Sequence, residues 1–323
     1  MVQKIALEEH FGTSDPDLVE QSREHFTAST WPPHRRQLLD VQDERLRLMD
    51  EAGIELVVLS LLAPGIQGLP ERAQAVDWAR RTNDVAARHV ELRPDRFAAF
   101  AALPLQDPEA AATELRRAVT ELGFKGALVN GFSEVDGDRI AYLDEPQYRP
   151  FWAVVEELAV PVYLHPRDPL PRDSRMLEGH PWLYGSAWGF SVETGTHALR
   201  LMAGGLFDEH PGVQVILGHL GELLPFTIWR TDHRLRVKPA GIPARKPLRE
   251  YLRSNFHLTT SGNFTTPALR FTLDEVGADR VLFSADYPFE SMGEAATWFD
   301  ALDLDRETHE KIAAGNARKL LGL

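Results

Sequence analysis

The sequence predicts an α/β fold, specifically a (β/α)8 barrel, and three observations carry that expectation. Eight short β-branched or apolar runs recur along the chain, amphipathic helical patterns separate them, and turn signals mark the changeovers. The expected strands are Ile5–Leu7, Leu56–Ser60, Phe97–Leu103, Gly126–Val129, Val160–Leu164, Val213–Leu217, Phe256–Thr260 and Val281–Ser284. The helical patterns include Val41–Ala52, Gln74–Leu92, Pro108–Leu122, Pro150–Leu158 and Thr194–Glu209. Gly53 and Gly123 each follow a helical pattern directly before a strand, where a left-handed residue would close the helix. Asp107-Pro108 offers an N-cap followed by proline at the first helical position. A parallel sheet of this length favours a closed barrel over an open doubly wound sheet, and no GxGxxG or Walker pattern supports nucleotide binding.

With 323 residues the chain is longer than most single domains, yet a barrel with extended loops fills that length as one unit. Residues 1–323 are therefore expected to form one catalytic barrel domain, with no linker or repeat dividing it. Two segments break the rhythm: Gly12–Arg36, rich in Pro, His and charge, and Pro166–Gly189, dense in Pro, Gly and Trp. Both are expected as lid, insert or interface loops.

Composition narrows the chemistry. Lys and Arg total 35 against 48 Asp and Glu, a formal charge of −13, which disfavours nucleic acid or an anionic membrane as partner. An anionic ligand would need a local arginine or metal to overcome that field. Cysteine is absent, so disulfides, thiolate metal sites and cysteine nucleophiles are excluded and any metal must rest on His and carboxylate. The longest apolar stretch, Leu56–Ala63, is far shorter than the roughly 20 residues of a membrane span, and no signal-peptide core opens the chain. A cytoplasmic location is expected.

Barrel chemistry sits where strands end, and four such places carry ligand-type residues. Glu8 and His10 share one face after the first strand, while Glu9 points away. His165 closes the fifth strand, His219 the sixth, and Asp286 lies two residues beyond the eighth. Taken singly, a strand-end histidine is more often a hydrogen-bonded turn residue than a ligand, and Glu8 or Asp286 alone could be a surface charge or a turn former. Together they bring carboxylate and imidazole side chains from four strands to one rim, and two carboxylates with two imidazoles would suit one divalent ion, Mn²⁺ or Zn²⁺, with positions left for water or substrate. Glu222, three residues after His219, can fix its tautomer or simply face a helix N-terminus. Arg230 can hold a carboxylate in fork geometry or lie solvated on a helix. Asn130 can donate to a ligand or form a turn with Gly131. Trp182, Trp188, Phe289 and Trp298 can line an aromatic pocket or serve core and interface. The remaining histidines, His34, His197 and His257 among them, read as surface or structural.

Eleven ordered motifs, ALEEHF, FAALPLQDP, GALVNGF, QYRPFW, YLHPR, GHPWL, ETGTHALRLM, ILGHLGE, NFHLTTSGNF, FSADYPFE and GNARKLL, run through nearly the whole chain. They resemble the ortho-hydroxybenzoate decarboxylases of the amidohydrolase superfamily. The greatest similarity is to the γ-resorcylate (2,6-dihydroxybenzoate) branch, with the 2,3-dihydroxybenzoate and 5-carboxyvanillate branches as cousins. The resemblance implies a (β/α)8 barrel of the amidohydrolase type, assembled as a homotetramer or homodimer. It implies metal ligands at Glu8, His10, His165 and Asp286, and catalytic roles for Asp286, His219 and Glu222. Arg230 would hold the substrate carboxylate, beside Asn130, Trp188 and Phe289. The partner is then a small aromatic carboxylate and the reaction its non-oxidative decarboxylation, reversible at high bicarbonate, with no nucleotide or organic cofactor. Residues Gly12–Arg36 depart from the family pattern, which leaves the pocket's shape open. A metal-dependent lactone or ester hydrolase uses the same ligands and is the rival reading, with a hydratase of an unsaturated dicarboxylate as a third. A non-catalytic barrel would lack one of the four ligands, and none is missing.

Overall fold

All eight expected runs become strands in the computed structural model, which describes residues 2–135, 139–170 and 174–323. In chain order the strands are β1 (Lys4–Phe11), β2 (Ile54–Leu61), β3 (Phe97–Ala99), β4 (Ala127–Asn130), β5 (Ser133–Val135), β6 (Arg139–Ala141), β7 (Val162–His165), β8 (Val215–Leu217), β9 (Phe256–Thr259) and β10 (Val281–Leu282). The additional pair, β5 and β6, is an antiparallel hairpin with no counterpart among the expected strands. It is too short and too polar on one strand to leave a periodic signal.

The parallel strands pair as β1-β2-β3 and as β4-β7-β8-β9-β10. Parallel bridges from Ala101 to Ala127 and from Glu9 to Tyr287 join these sheets at both edges, which leaves neither edge open. The second seam is held by His10 N–H donating to the Tyr287 carbonyl at 2.7 Å and Asp286 N–H to the Glu8 carbonyl at 3.0 Å. Inside the ring, Ile5, Leu7, Val58, Phe100, Leu128, Tyr163, Ile216 and Leu282 form one buried cluster. The alternate positions Ala6, Val57, Leu59, Val129, Leu164 and Leu217 pack outward into the larger cluster under the helices. Inward and outward positions thus alternate, as a filled barrel requires. Among the described residues no helix is long and apolar enough to cross a membrane.

Local signals place most helices. The Asp107 carboxylate accepts from Ala110 N–H ahead of the helix Pro108–Thr120, and Gly53 adopts φ +66° after the helix Glu44–Ala52. The pattern expected over Thr194–Glu209 is instead two helices, Gly189–Ala203 and Leu206–Glu209, parted at Gly204-Gly205. The segment Gly12–Arg36 is not irregular throughout. It holds a short helix (Pro16–Val19), a 3₁₀ turn (Glu20–His25) and most of the helix Trp31–Leu39, anchored by buried Trp31 and Leu38. The segment Pro166–Gly189 carries 3₁₀ turns at Arg175–Leu177, Pro181–Leu183 and Gly185–Ala187, and residues 171–173 lie outside the described residues.

Two structural histidines make stability depend on acid. His197 Nε2 accepts from Leu143 N–H at 3.0 Å, and His257 Nε2 accepts from Arg280 at 3.0 Å, so both imidazoles fold neutral. Burial, followed by the charge of Arg200 or Arg280, lowers each from 6.5 to about 3. Between those values the unfolded chain takes up protons that the folded chain refuses. The contribution is therefore complete above pH 6.5 and falls by about 1.4 kcal/mol per pH unit per imidazole as pH drops through the window. The melting temperature is expected to fall steadily from pH 6.5 to 4.5, and less steeply in His257→Gln. Equal slopes in the two proteins would remove His257 from this account.

Candidate metal centre and active site

Glu8, His10, His165 and Asp286 converge at the C-terminal rim of the barrel. One ligand-type atom from each lies within 4.8 Å of the others, and among the described residues no second such group occurs. Glu8 and His10 come from β1, His165 from the end of β7, and Asp286 from the turn after β10. Glu8 Oε1 is 3.2 Å from His165 Nε2, and His10 Nε2 is 3.3 Å from Asp286 Oδ1. Glu8 and His10 are fully buried, yet beyond these ion-pair contacts Glu8 Oε1 and His10 Nε2 make no well-formed hydrogen bond. Buried polar atoms without partners are costly. A divalent ion bridging these oxygen and imidazole donors would satisfy them, and the set fits Mn²⁺ or Zn²⁺.

Neighbouring side chains fix each donor. Ser60 Oγ lies 3.2 Å from His10 Nδ1, which leaves Nε2 facing the site. Tyr163 donates its hydroxyl to Glu8 Oε2, and its oxygen is 2.8 Å from Thr259 Oγ1. The chain continues through Ser261 Oγ, 2.9 Å from Thr259, to the His219 amide at 3.1 Å. Burial opposes the Glu8 charge, but the imidazoles of His219, His165 and His10 outweigh it and hold the carboxyl well below its ordinary range. At His10 burial and the neighbouring His165 prevail and lower the pKa.

His219 sits on a strained turn. His219, Leu220, Glu222 and Leu223 all have φ between +51° and +68°, a region non-glycine residues seldom occupy. The turn folds Glu222 back so that its Oε1 is 2.6 Å from His219 Nδ1, and it presents Nε2 to Asp286 Oδ2 at 3.5 Å. The following helix begins at Leu224, so Glu222 precedes it and engages His219 instead of a helix terminus. Burial lowers the His219 pKa, but the Glu222 and Glu8 carboxylates raise it further and leave it well above its ordinary value. Space here is tight: a Cβ at Gly218 would meet Glu8 Oε2 at 2.7 Å, and one at Gly262 would meet the His219 ring at 2.9 Å.

Above these four side chains opens a cavity of about 450 Å³, lined by His165, His219, Asp286 and Glu290 on its polar side. That volume lies in the range of small-ligand sites. Its apolar wall brings together Phe26, His34 and Phe289 from one side and Pro181, Tyr184 and Phe190 from the other. Phe26 stacks on Phe289 with ring centres 6.0 Å apart, and His34 lies 4.5 Å from Phe26.

The expected substrate contacts fare unevenly. Phe289 lines the cavity. Asn130 does not line the cavity: it is buried beside His165 in register, and its Oδ1 has no hydrogen-bond partner. Trp188 does not line the cavity: it precedes the helix Gly189–Ala203 and is 44% exposed, while Phe190 two residues on turns inward. Trp182 is exposed as well, and Trp298 packs on Phe264 away from the cavity. Arg230 is exposed on the helix Leu224–Val237 and is absent from the cavity wall. His34, read from sequence as surface or structural, is a wall residue, which no periodicity in its proline-rich segment announces.

The chain and its fold match known proteins. A family profile described as Amidohydrolase matches residues 24–323. The chain is 54% identical to a gamma-resorcylate decarboxylase of Rhizobium sp. (strain MTP-10005), covering 100% of this chain and 99% of that one. It is 54% identical to one from Rhodococcus jostii (strain RHA1), with the same coverage. A crystal structure of a 2,6-dihydroxybenzoate decarboxylase complexed with 2,6-dihydroxybenzoate matches with a TM-score of 0.97 at 54% identity, over 100% of both chains. A dihydroxybenzoic acid decarboxylase from Polaromonas sp. JS666, with manganese and the inhibitor 2-nitroresorcinol bound, matches with a TM-score of 0.97 at 50% identity, over 100% of this chain and 98% of that one. The chain belongs to the amidohydrolase family, and within it to the branch of metal-dependent aromatic decarboxylases.

Proposed function

We propose that this chain decarboxylates 2,6-dihydroxybenzoate to resorcinol and CO2. The carrying observation is the buried Glu8, His10, His165 and Asp286 cluster at the floor of an aromatic-walled cavity sized for one ring. Direct loss of CO2 from a benzoate would leave an in-plane aryl anion with no π-system to spread it. An ortho phenolate avoids this, because it pushes electron density onto the carbon that bears the carboxylate. A divalent ion held by the four ligands supplies Lewis-acid stabilisation of the oxygen charge. Asp286 takes up the proton of the substrate's phenol and delivers it to the carboxylate-bearing carbon, giving a dearomatised ketone. The C–C bond then breaks, its electron pair restores the aromatic ring as phenolate, and CO2 leaves. The departing phenolate takes one proton from water, so that one proton is consumed per turnover. His219, fixed by Glu222, lies within reach of Asp286 and favours negative charge on it after the transfer. Phe289 and Phe26 hold the ring.

The substrate carboxylate still needs a cation. Arg230 is exposed beside Phe226, 78% exposed, and Trp229, 57% exposed, so it can meet a cavity only when a second copy packs against this face. That supports a homodimer or homotetramer of single-domain barrels, and the absence of a membrane-spanning helix among the described residues is compatible with a cytoplasmic setting.

Metal-free enzyme restored separately with Mn²⁺ or Zn²⁺ tests the function. Assayed with salicylate and 2,3-, 2,4- and 2,6-dihydroxybenzoate, it is expected to release CO2 fastest from the 2,6-isomer. No CO2 from any of them, with lactone hydrolysis instead, would overturn the reading in favour of a hydrolase.

A further inference from the structure

Strict alternation cannot place both Leu7 and Glu8 inside the barrel, yet both are there. Leu7 belongs to the interior cluster with Val58 and Ile216, and Glu8 reaches His165 and Tyr163 across the same interior. The β1–β2 register explains this. Ala6 pairs with Val57 and Glu9 with Leu59, so two residues, Leu7 and Glu8, stand opposite Val58 alone. This is a β-bulge, a device that changes side-chain parity along a strand. Without it Glu8 would follow Ala6 outward toward the helices and Glu9 would enter the site.

One side chain holds the bulge from the other side of the seam. Ser284 Oγ, fully buried, accepts from Leu7 N–H at 3.1 Å and from Glu8 N–H at 2.6 Å, the two amides that the extra residue displaces from the ladder. Its own backbone is clamped by Thr260, whose Oγ1 accepts from Ser284 N–H at 3.0 Å and donates to its carbonyl at 2.9 Å. The Glu9 carboxylate, turned outward by the same bulge, accepts from Ala285 N–H at 2.9 Å and Tyr287 N–H at 3.3 Å, the residues on either side of Asp286. Asp286 itself has φ +78°, a conformation that needs such external support. Arg45, buried beneath, donates to the His10 carbonyl at 2.5 Å.

We infer that Ser284 and Glu9 are the positioning residues of the metal centre: Ser284 sets the parity that turns Glu8 inward, and Glu9 fixes the turn that carries Asp286. The inference rests on the metal-site reading above and extends it to residues that touch neither ion nor substrate. One buried hydroxyl and one buried carboxylate couple three of the four ligands, so loosening either should degrade ligand geometry more than it degrades the fold.

The test compares Mn²⁺ dissociation constants by competition with a fluorescent chelator for wild type, Ser284→Ala, Glu9→Gln and Asn316→Ala. Asn316 caps the opposite end of β10 by donating to the Ala278 and Val281 carbonyls, both at 2.8 Å, so its loss destabilises the same strand away from the site. Ser284→Ala and Glu9→Gln are expected to weaken Mn²⁺ binding about 10- to 100-fold, the range for outer-shell partners of metal ligands. Asn316→Ala should lower the melting temperature with affinity within twofold of wild type. If Ser284→Ala does not fold, Glu9→Gln carries the comparison alone. Unchanged affinity in the foldable site variants, or an equal loss in Asn316→Ala, would overturn the positioning role. A wild type that retains no Mn²⁺ would instead remove the metal reading and this inference with it.

Discussion

Asp286→Asn is expected to lower the turnover of 2,6-dihydroxybenzoate by about 10²- to 10⁴-fold, the range attributable to a positioned general acid, while Mn²⁺ content and melting temperature stay close to wild type. The proposed function gives the side chain two tasks, and the substitution separates them. An amide keeps an oxygen where Oδ1 now lies 3.3 Å from His10 Nε2, so a ligand atom remains. It cannot accept the phenol proton and return it to a ring carbon. Backbone support for the turn is untouched, because the Asp286 N–H bond to Glu8 and the Glu9 bonds to Ala285 and Tyr287 involve no atom of the altered group. Ring-proton exchange of resorcinol in D2O gives a second readout, since it uses the same acid without any C–C cleavage and should fall in parallel. Near-normal turnover in a variant that still holds Mn²⁺ would remove Asp286 from proton transfer and move the acid role to His219, whose Nε2 faces the same space at 3.5 Å.

The positions of the candidate metal-binding side chains are legible because strand ends are legible. Short apolar runs bounded by turn residues locate the rim, and His165, His219 and Asp286 stand directly at or beyond such runs. Glu8 and His10 were placed on one face by alternation, which is correct between them but takes no account of the bulge that puts that face inside. A bulge depends on a hydroxyl from the far end of the chain, Ser284, and no local pattern in β1 encodes it. Tyr163 was within reach of the same reasoning, since it lies two residues before His165 on one face of β7 and therefore points at the ligands. The pocket wall was less accessible. Phe26 and His34 come from a segment whose helices are short and whose packing on Phe289 is long-range, and Trp188 falls outside the wall while Phe190 lines it, because aromatic character alone does not tell which side of a helix start faces inward. Arg230 marks a different boundary: its helix and its exposure follow from the chain, whereas its partner is a property of an assembly.

Removing the metal is expected to abolish CO2 release and to lower the melting temperature, with both restored by Mn²⁺. The four donors are gathered in a place where they have too few partners of their own. Glu8 Oε1 and His10 Nε2 are buried with no well-formed hydrogen bond, meeting His165 and Asp286 at 3.2 and 3.3 Å, and an ion that satisfies them would bind the folded chain alone, because the unfolded chain scatters donors drawn from residues 8 to 286. Mass action then stabilises the fold by about 4 kcal/mol when free ion exceeds its dissociation constant a thousandfold, which for a chain of this size corresponds to a shift on the order of 5–10 °C. Calorimetry of chelated protein titrated with Mn²⁺ measures it directly. Glu8→Gln sharpens the test: the glutamine can keep a hydrogen bond to Tyr163 but loses the charge that attracts the ion, so its melting temperature should no longer respond to Mn²⁺. A wild type that is fully active after chelation, or whose stability ignores Mn²⁺, would mean that the imidazoles and carboxylates stabilise one another as ion pairs. The short Glu8–His165 and His10–Asp286 contacts would then be the end state of the site and not its preparation for a cation.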